Sequence, residues 1–320
     1  MRGFKLGWSP GRMIFYGVAV LLLLSLPMLV KNIYAMHIIN MILIYVIIVS
    51  GLNLIIGCCG QFSLAQASFF GVGAYTSAIL ATRLGLSFWI CLPAAVVMSC
   101  IAGLLTSLPC LKVRAHYLGI VSLGLGVVIY EAMVNLDFLT NGPSGIALVP
   151  SPSLFGMKLN SDHRYYYLLL VFGILSVLLV KLILSSRMGR AFIAIRESYT
   201  AAEAMGINHR LYKVFAFALS ASYAGLAGSL YAHLLGFISP DSFGLEEMLL
   251  EIAMLVVGGT GTLFGPIIGA AFLSFGYEYL RALHTFQMVI YGIMILVFVI
   301  FFPQGLVTIK DRILALGNKK

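Results

Sequence analysis

The sequence predicts an all-α polytopic membrane protein, a helix bundle with about eight to ten transmembrane helices, some of them broken by glycine. The first observation is composition: of 320 residues, 61% are hydrophobic and 10% are charged. A water-soluble core of that length cannot hide so much apolar surface. The second observation is a series of apolar runs, and the third is the placement of basic residues between them. We treat 1–320 as a single transmembrane domain.

The apolar runs set the predicted crossings. A helix needs about 20 residues to cross about 30 Å of hydrocarbon. By this criterion crossings are expected at 13–30, 37–56, 62–81, 88–108, 116–136, 165–184, 214–237, 248–259, 263–282 and 286–302. Glycines interrupt the third and eighth runs. The alternative is therefore that one glycine-broken pair is re-entrant and that eight crossings remain.

The basic residues set the orientation, because cytoplasmic loops of membrane proteins carry an excess of Lys and Arg. With the N-terminus inside and ten crossings, fifteen of the 20 basic residues fall on the cytoplasmic side. Both termini are then expected in the cytoplasm. The net charge of +9 is dispersed along the chain rather than gathered in one patch, so nucleic acid is not a predicted partner.

Two loops are long enough to bind something. The outer loop, 137–164, is rich in Gly, Pro, Ser and Asn and is predicted to be exposed and rich in turns. A second outer segment carries Asp241, Glu246 and Glu247 without a basic residue. The two give the outer face an acidic character that would suit a basic rim of a soluble partner. The alternative is that they are ordinary solvated loops.

The inner loop, 185–213, is amphipathic. The apolar residues Phe192, Ile195, Tyr199 and Ala202 recur at helical period. The charged residues fall largely off that stripe; they are Arg190, Arg196, Glu197 and Glu203. We predict one helix over 190–206, ended by Gly206. Its apolar face would lie along the membrane surface or fill a groove in another protein.

Four blocks of the sequence carry a family resemblance. The inner loop contains Thr200-Ala201-Ala202, three residues and then Gly206. This resembles the coupling segment of ABC importer permeases, whose pattern is Glu-Ala-Ala, three residues and Gly; Thr200 stands where that pattern has Glu. Together with it, three more blocks resemble the LivM-type permease of branched-chain amino acid ABC importers. They are 50–75, 256–272 and 301–306, so the resemblance covers most of the chain.

The resemblance implies a membrane-spanning permease in a bacterial or archaeal inner membrane. Its implied partners are a paralogous H-type permease subunit, two cytoplasmic ABC ATPase subunits and an external substrate-binding protein. The implied cargo is leucine, isoleucine or valine; urea, other amino acids and nucleosides are the alternatives within the same class. The residues implied to couple to the ATPases are Arg190, Thr200, Ala201, Ala202, Glu203 and Gly206.

Polar residues at membrane depth are candidates for the translocation path. They are Asn53, Gln61, Ser63, Gln66 and Tyr75, which lie among glycines, and Glu251. Polar groups at this depth are tolerated where they are buried in protein or line a watery cavity. For 51–75 the two interpretations are a path lining and helix packing. Glu251 lies near a predicted span end, where snorkelling to the interface or an ion pair would also accommodate it.

Small residues predict close helix packing at two places. Gly265 and Gly269 form a G-x-x-x-G pair, and Gly225 is the centre of the same spacing between Ala221 and Ser229. The glycine-rich stretch 258–265 lacks the G-x-G-x-x-G spacing and joins two apolar spans. It is therefore not interpreted as a dinucleotide loop.

The sequence has no catalytic constellation. No G-x-x-x-x-G-K-[ST] motif is present, and no Ser/His/Asp, Cys/His or metal-ligand set has credible spacing. We therefore predict neither an enzyme nor a cofactor or metal site. Energy for uphill transport must come from another subunit or from an ion gradient. An ion-coupled secondary transporter is the alternative from another class, although no internal repeat supports it.

Overall fold

A computed structural model describes residues 23–30, 32–111, 113, 117–154 and 157–280, and, beyond these, 289–290, 292–293, 296–297, 300 and 305–308. The helices are α1 Ile33–Leu52, α2 Gln66–Arg83, α3 Phe88–Leu111, α4 Leu118–Asn135, α5 Asp137–Thr140, α6 Asp162–Ser185, α7 Arg187–Glu197, α8 Tyr199–Ala204, α9 His209–Leu235, α10 Leu245–Gly258 and α11 Gly265–Leu280. A π-helical turn, Asn53–Cys58, continues α1. The strands are β1 Ile146–Ala147, β2 Ser153–Leu154, β3 Met157–Lys158 and β4 Phe237–Ile238.

Five of the predicted crossings are confirmed as helices long and apolar enough to span a membrane. They are α1 with its π-helical turn, α3, α4, α6 and α9. Their apolar runs suffice to form helices because a bilayer offers no other partner for the backbone N–H and C=O groups. The predicted polytopic helical bundle is therefore confirmed.

Two other predicted crossings differ from the structure. The one placed at 62–81 begins only at Gln66; Gly60 has a positive φ of 71°, and 60–65 has no regular secondary structure. The one placed at 248–259 is α10, with 14 residues. At about 1.5 Å per residue it is about 21 Å long, which is less than a full hydrocarbon layer. The one placed at 263–282 is helical as α11 from Gly265 to Leu280, and its last two positions lie outside the described residues.

The first and last predicted crossings lie mostly outside the described residues. Of 13–30, residues 23–29 are helical, and of 286–302 only scattered helical residues are described. Both chain termini also lie outside the described residues, so the predicted cytoplasmic position of the termini stays a prediction.

Helices α1 and α9 form the centre of the bundle. In the apolar 18-residue stretch of α1 with its π-helical turn, about 78% of the residues are buried, and in that of α9 about 67% are. The corresponding share is 22–28% for α3, α4 and α6. The centre packs closely because small residues face one another. A Cβ on Gly225 of α9 would meet Ser99 of α3 at 2.5 Å, and Gly73 of α2 lies against the backbone of Gly225.

The outer segments meet at one end of the bundle. Strand β1 pairs antiparallel with β4, with Ile146 opposite Ile238. Strand β2 pairs with β3 as a small hairpin. The Arg83 guanidinium donates to the carbonyl oxygens of Phe138 and Leu139 at 2.7 and 3.0 Å, which fixes the end of α2 beneath the outer loop. The loop predicted at 137–164 is therefore bonded to the 237–238 segment.

Helices α10 and α11 form a tight hairpin. A Cβ on Gly269 would overlap the carbonyl oxygen of Met254, and one on Gly258 would overlap that of Gly265. Gly259, in the connecting loop, has a positive φ of 122°. Glycine is thus required at the contact and at the turn, so the two helices form one closely packed unit.

We expect Gly225→Ala to destabilise the isolated chain by about 1–3 kcal/mol, because the added methyl group overlaps Ser99 in a packed interior. Gly124→Ala is the matched control: Gly124 is also helical, and nothing lies within 4 Å of its added Cβ. The measurement is the thermal unfolding midpoint in detergent. Equal midpoints for the two variants would contradict the packing described for α9.

Candidate functional site

The inner loop folds as two helices, α7 and α8, rather than the single predicted helix over 190–206. The break is at Ser198, whose backbone is extended at φ −161° and ψ 119°. Its Oγ accepts a hydrogen bond from the N–H of Ala201 at 3.3 Å and so caps α8. Ser186 caps α7 in the same way, accepting from Met188 at 3.1 Å. Each cap provides an acceptor for a backbone N–H in the first turn, which has no acceptor within the helix.

Gly206 ends α8, as predicted. The N–H of Ile207 donates to the carbonyl of Ala202 at 3.0 Å, and that of Gly206 to Glu203 at 2.9 Å. These two bonds form a Schellman motif, which requires a left-handed residue between helix and exit. Gly206 occupies that position with φ +78°.

The apolar stripe of the inner loop is buried within the chain itself. Phe192 and Ile195 are fully buried and Ala202 nearly so. The Phe192 ring packs edge-on against Tyr212 of α9 at a centroid distance of 6.2 Å. The predicted docking of this face on lipid or on a partner is wrong, because the face is already covered. Any partner must contact the opposite face.

That opposite face carries five of the six residues that the resemblance implies for coupling. Arg190, Thr200, Ala201, Glu203 and Gly206 are exposed. Two apolar side chains absent from the prediction lie beside them: Met205 is 82% exposed and Ile193 is 44% exposed. We call the five residues with Ile193 and Met205 the coupling face. A mixed apolar and charged surface of this kind is typical of a protein contact.

A shallow groove of about 400 Å³ borders the coupling face. It lies between the end of α8 and the start of α9. Its lining includes Glu203, Gly206, Asn208 and Arg210. The Glu203 carboxylate contacts the imidazole of His209 at 2.6 Å, which holds the two helices together across the groove.

Asn53 and Gln66 both have interhelical hydrogen bonds. The Asn53 amide donates to Thr262 and accepts from Gly261, each at 2.8 Å. The Gln66 amide donates to the carbonyls of Ile48 and Ser220 at 3.3 and 3.2 Å and accepts from the Ser220 hydroxyl at 2.8 Å. These bonds favour the packing interpretation for both residues.

The other path candidates of this segment are buried with less complete bonding. Gln61 donates to the Tyr199 hydroxyl of α8, while its carbonyl oxygen has no partner among the described residues. Ser63 accepts from the N–H of Ala65 at 3.5 Å. The Tyr75 hydroxyl is buried and also unpartnered in the described part of the chain. These polar groups lie in the interior, where an unmade hydrogen bond is costly.

Glu251 lies deep in α10. It is 0% exposed, and neither carboxyl oxygen has a hydrogen-bond partner among the described residues. Snorkelling and ion pairing, the two alternatives considered for it, are therefore not seen. One turn away, Glu247 lines a cavity of about 560 Å³ between α1, α10 and α11, with Leu250, Met254 and Ser274 also in its wall. Glu247 thus turns inward and is not part of a freely solvated acidic segment.

Arg196 makes an interhelical contact that the sequence pattern did not indicate. Its guanidinium donates to the carbonyl oxygen of Gly57, in the π-helical turn after α1. Its side chain also lies against Gly60 and Gly261. The sequence shows only a basic residue at the end of a helix, and its partner is 139 positions away. No local signal marks this contact.

Comparison with known families gives one match over most of the chain. A family model described as the permease component of a branched-chain amino acid transport system matches residues 34–299. The high-affinity branched-chain amino acid transport system permease protein LivM of Escherichia coli (strain K12) is 33% identical; the match covers 95% of this chain and 77% of that protein. The protein of the same name from Salmonella typhimurium is 34% identical, over 83% of this chain and 68% of its own length.

A more distant relative covers half of the chain. The autoinducer 2 import system permease protein LsrC of Salmonella paratyphi B is 28% identical over 51% of this chain and 46% of its own. No solved structure matches the sequence.

We expect Ser198→Ala to loosen α8 by about 1 kcal/mol, because it removes the side-chain acceptor at the helix start. Hydrogen exchange of residues 199–205 should then speed up while that of α7 stays the same. Ser186→Ala is the reciprocal control and should speed exchange at the start of α7 alone. If both variants changed both helices equally, the inner loop would be one cooperative unit.

Proposed function

The chain belongs to the family of branched-chain amino acid transport permeases, and from this premise we propose that it imports branched-chain amino acids as the membrane-spanning subunit of a binding-protein-dependent ABC importer. The observation that carries the proposal is the family match over 34–299 combined with LivM relatives aligned along most of the chain. The protein is a multi-pass membrane protein, as its five span-length helices require. We place it in the bacterial or archaeal inner membrane.

Permeases of this family work with other ABC subunits, and we propose which ones this chain contacts. Two cytoplasmic ATPases supply the energy, because the sequence has no P-loop. A paralogous H-type permease completes the membrane pore, and an external binding protein delivers the substrate. Urea, other amino acids and nucleosides are less well supported as cargo, since the LivM relatives cover far more of the chain than the autoinducer 2 permease does.

We propose that the ATPases bind the coupling face. Three features support this assignment. The face is exposed, whereas the opposite face of the same helices is buried in the bundle. It carries both charge and apolar surface, in Arg190, Glu203, Ile193 and Met205. Helix α7 is capped by Ser186, and α8 is capped by Ser198 and ends in a Schellman motif. A force that the ATPases exert on this face therefore displaces ordered helices rather than a flexible loop.

We propose that the external binding protein contacts the opposite end. There, β1 and β4 join the outer loop to the segment that leads into α10. Asp241 and Glu246 are exposed in that segment. Two carboxylates without a basic neighbour attract a basic rim, and such pairing mainly speeds encounter between partners.

The translocation path is proposed to pass the polar interior described above. Glu247 lines the cavity next to the apolar side chains of Leu250 and Met254, and the Glu251 carboxyl group is buried one turn further along α10. A branched-chain amino acid carries an ammonium group and an apolar side chain, so its chemistry complements that combination. Gln61, Ser63 and Tyr75 are proposed as further lining groups. Asn53 and Gln66 would shape the path by holding its walls.

Glu203→Arg is expected to reduce co-purification of the ATPases by tenfold or more and to abolish leucine uptake, because it reverses charge on the coupling face. Gly206→Pro should have the same effect, since proline cannot adopt the left-handed φ of +78°. Membrane insertion should remain normal in both variants.

The matched control for Glu203→Arg is Glu246→Arg at the outer end. It should keep the ATPases bound and weaken binding-protein-stimulated uptake instead. Wild-type uptake in Glu203→Arg and in Gly206→Pro would remove the coupling face from the mechanism.

Glu251→Gln is expected to lower leucine uptake at least tenfold if the buried carboxyl contacts the substrate ammonium, a contact worth about 1.5–3 kcal/mol. The loss should appear mainly in the substrate concentration needed for half-maximal uptake. Glu131→Gln is the control, because Glu131 is exposed on α4 and its carboxylate bonds Asn135 at 3.0 Å. Normal uptake by Glu251→Gln would exclude Glu251 from the path.

A further inference from the structure

Three breaks between helices lie close together at the inner loop. The first is the π-helical turn at the end of α1, followed by chain without regular secondary structure up to α2. The second is the glycine-rich turn between α10 and α11. The third is the break between α7 and α8 at Ser198. Helix ends leave backbone groups without partners, so each break needs bonds from outside its own helix.

Asn53 joins the first break to the second. Its amide nitrogen donates to the carbonyl of Thr262 and its amide oxygen accepts from the N–H of Gly261, both at 2.8 Å. The side chain is fully buried. Both hydrogen-bonding groups of one amide therefore hold one turn of backbone, so α1 and the α10–α11 turn are held in a single relative position.

Arg196 joins the third break to the other two. From the last turn of α7, its guanidinium donates to the carbonyl oxygen of Gly57. A Cβ on Gly261 would lie 2.6 Å from Arg196 Nη1, and a Cβ on Gly60 would lie 3.0 Å from its Cγ. The absence of side chains at these glycines is what lets the arginine reach all three backbones at once.

A second contact runs from α8 to the same place. The Gln61 amide nitrogen donates to the hydroxyl of Tyr199, the first residue of α8. The ammonium of Lys213 lies 4.4 Å from the centre of the Tyr199 ring, which ties this tyrosine to α9 as well. Both helices of the inner loop therefore hold the stretch from Gly57 to Gln61.

The elements on the far side of these contacts are the ones that lead into the interior. The 57–61 stretch continues to Gln66, whose amide bonds α1 and α9 at the start of α2. The 259–264 turn connects α10, which carries Glu251, to α11. Since α10 and α11 pack with overlapping glycines, displacing their turn displaces the hairpin as a unit.

We propose that Arg196 and Asn53 are the positioning residues that transmit displacement of α7 and α8 to α2 and to the α10–α11 hairpin. Arg196 receives the motion from the inner loop, and Asn53 passes it from the end of α1 to the hairpin turn. The inference rests on the proposed function, because it assigns to these two residues the coupling of ATP hydrolysis to transport. Neither residue contacts the substrate or the ATPases in this scheme.

The test uses the complete importer, reconstituted in liposomes with its ATPases and binding protein, and counts leucine molecules imported per ATP hydrolysed. Arg196→Ala and Asn53→Ala should each lower this ratio by about 5- to 150-fold, the range typical of coupling between two sites. ATPase co-purification and the rate of ATP hydrolysis should stay at the wild-type level. Arg196→Lys should lie between, because lysine keeps a charge but not the planar fork of donors.

Asn40→Ala is the matched control. Asn40 is also a fully buried asparagine on α1, and its amide donates to the carbonyl of Asp162 at 3.0 Å, near the other end of the helix. It should lower the thermal midpoint as Asn53→Ala does and leave the transport ratio at the wild-type value. A ratio lowered equally by Asn40→Ala would reduce Asn53 to a packing residue and overturn the proposal.

Two further outcomes separate this proposal from the one it rests on. If Arg196→Ala releases the ATPases, Arg196 is a docking residue and the transmission proposal fails, while the importer function stands. If Arg196→Ala and Asn53→Ala both import at the wild-type ratio, the transmission proposal also fails. If the wild-type complex imports no leucine with ATP, the proposed function itself fails. Should Arg196→Ala fail to fold and insert into the membrane, Arg196→Lys decides, because a wild-type transport ratio in that variant would overturn the role of Arg196.

Discussion

The structure depends on one constraint, the need to satisfy backbone polar groups where helices break inside an apolar solvent. Lipid offers no hydrogen bonds, so every interrupted turn must find a partner within the chain. At the end of α1 the partners are side chains from distant elements, with Arg196 on the Gly57 carbonyl and Ser122 on the N–H of Leu64 at 3.0 Å. At this break other helices supply the missing bonds, and the break is therefore also a point of contact within the bundle.

Small residues let the helices approach closely enough for side chains to bond the backbone at these breaks. The central helices approach through Gly73, Gly225 and Gly228, and the α10–α11 hairpin through Gly258 and Gly269. In a membrane there is little hydrophobic gain from bringing helices together, so close van der Waals packing has to stabilise the association. The same closeness makes the interior rigid, and rigid bodies joined at a few bonded points are what transmission of motion over a distance needs.

The sequence predicted the long helices well because their backbones satisfy themselves and an apolar run is enough to define them. It predicted the end of α8 because glycine at position 206 is the residue that a left-handed exit favours. The break at Ser198 could have been predicted, since serine before a helical run is an N-cap signal. The exact start of α2 could not, because the Leu64 N–H and the Gln66 amide donate to Ser122 and Ser220, which are far away in the chain.

The short helix α10 has a consequence for the surrounding bilayer. At about 21 Å it is about 9 Å shorter than a 30 Å hydrocarbon layer. Arg196 of α7 lies against Gly261 in the turn that follows α10, so the inner loop packs against the end of this short helix. A bilayer that thins to match α10 deforms next to the inner loop, and lipids of a different chain length change the cost of that deformation. Bilayer composition should therefore tune how readily this permease moves.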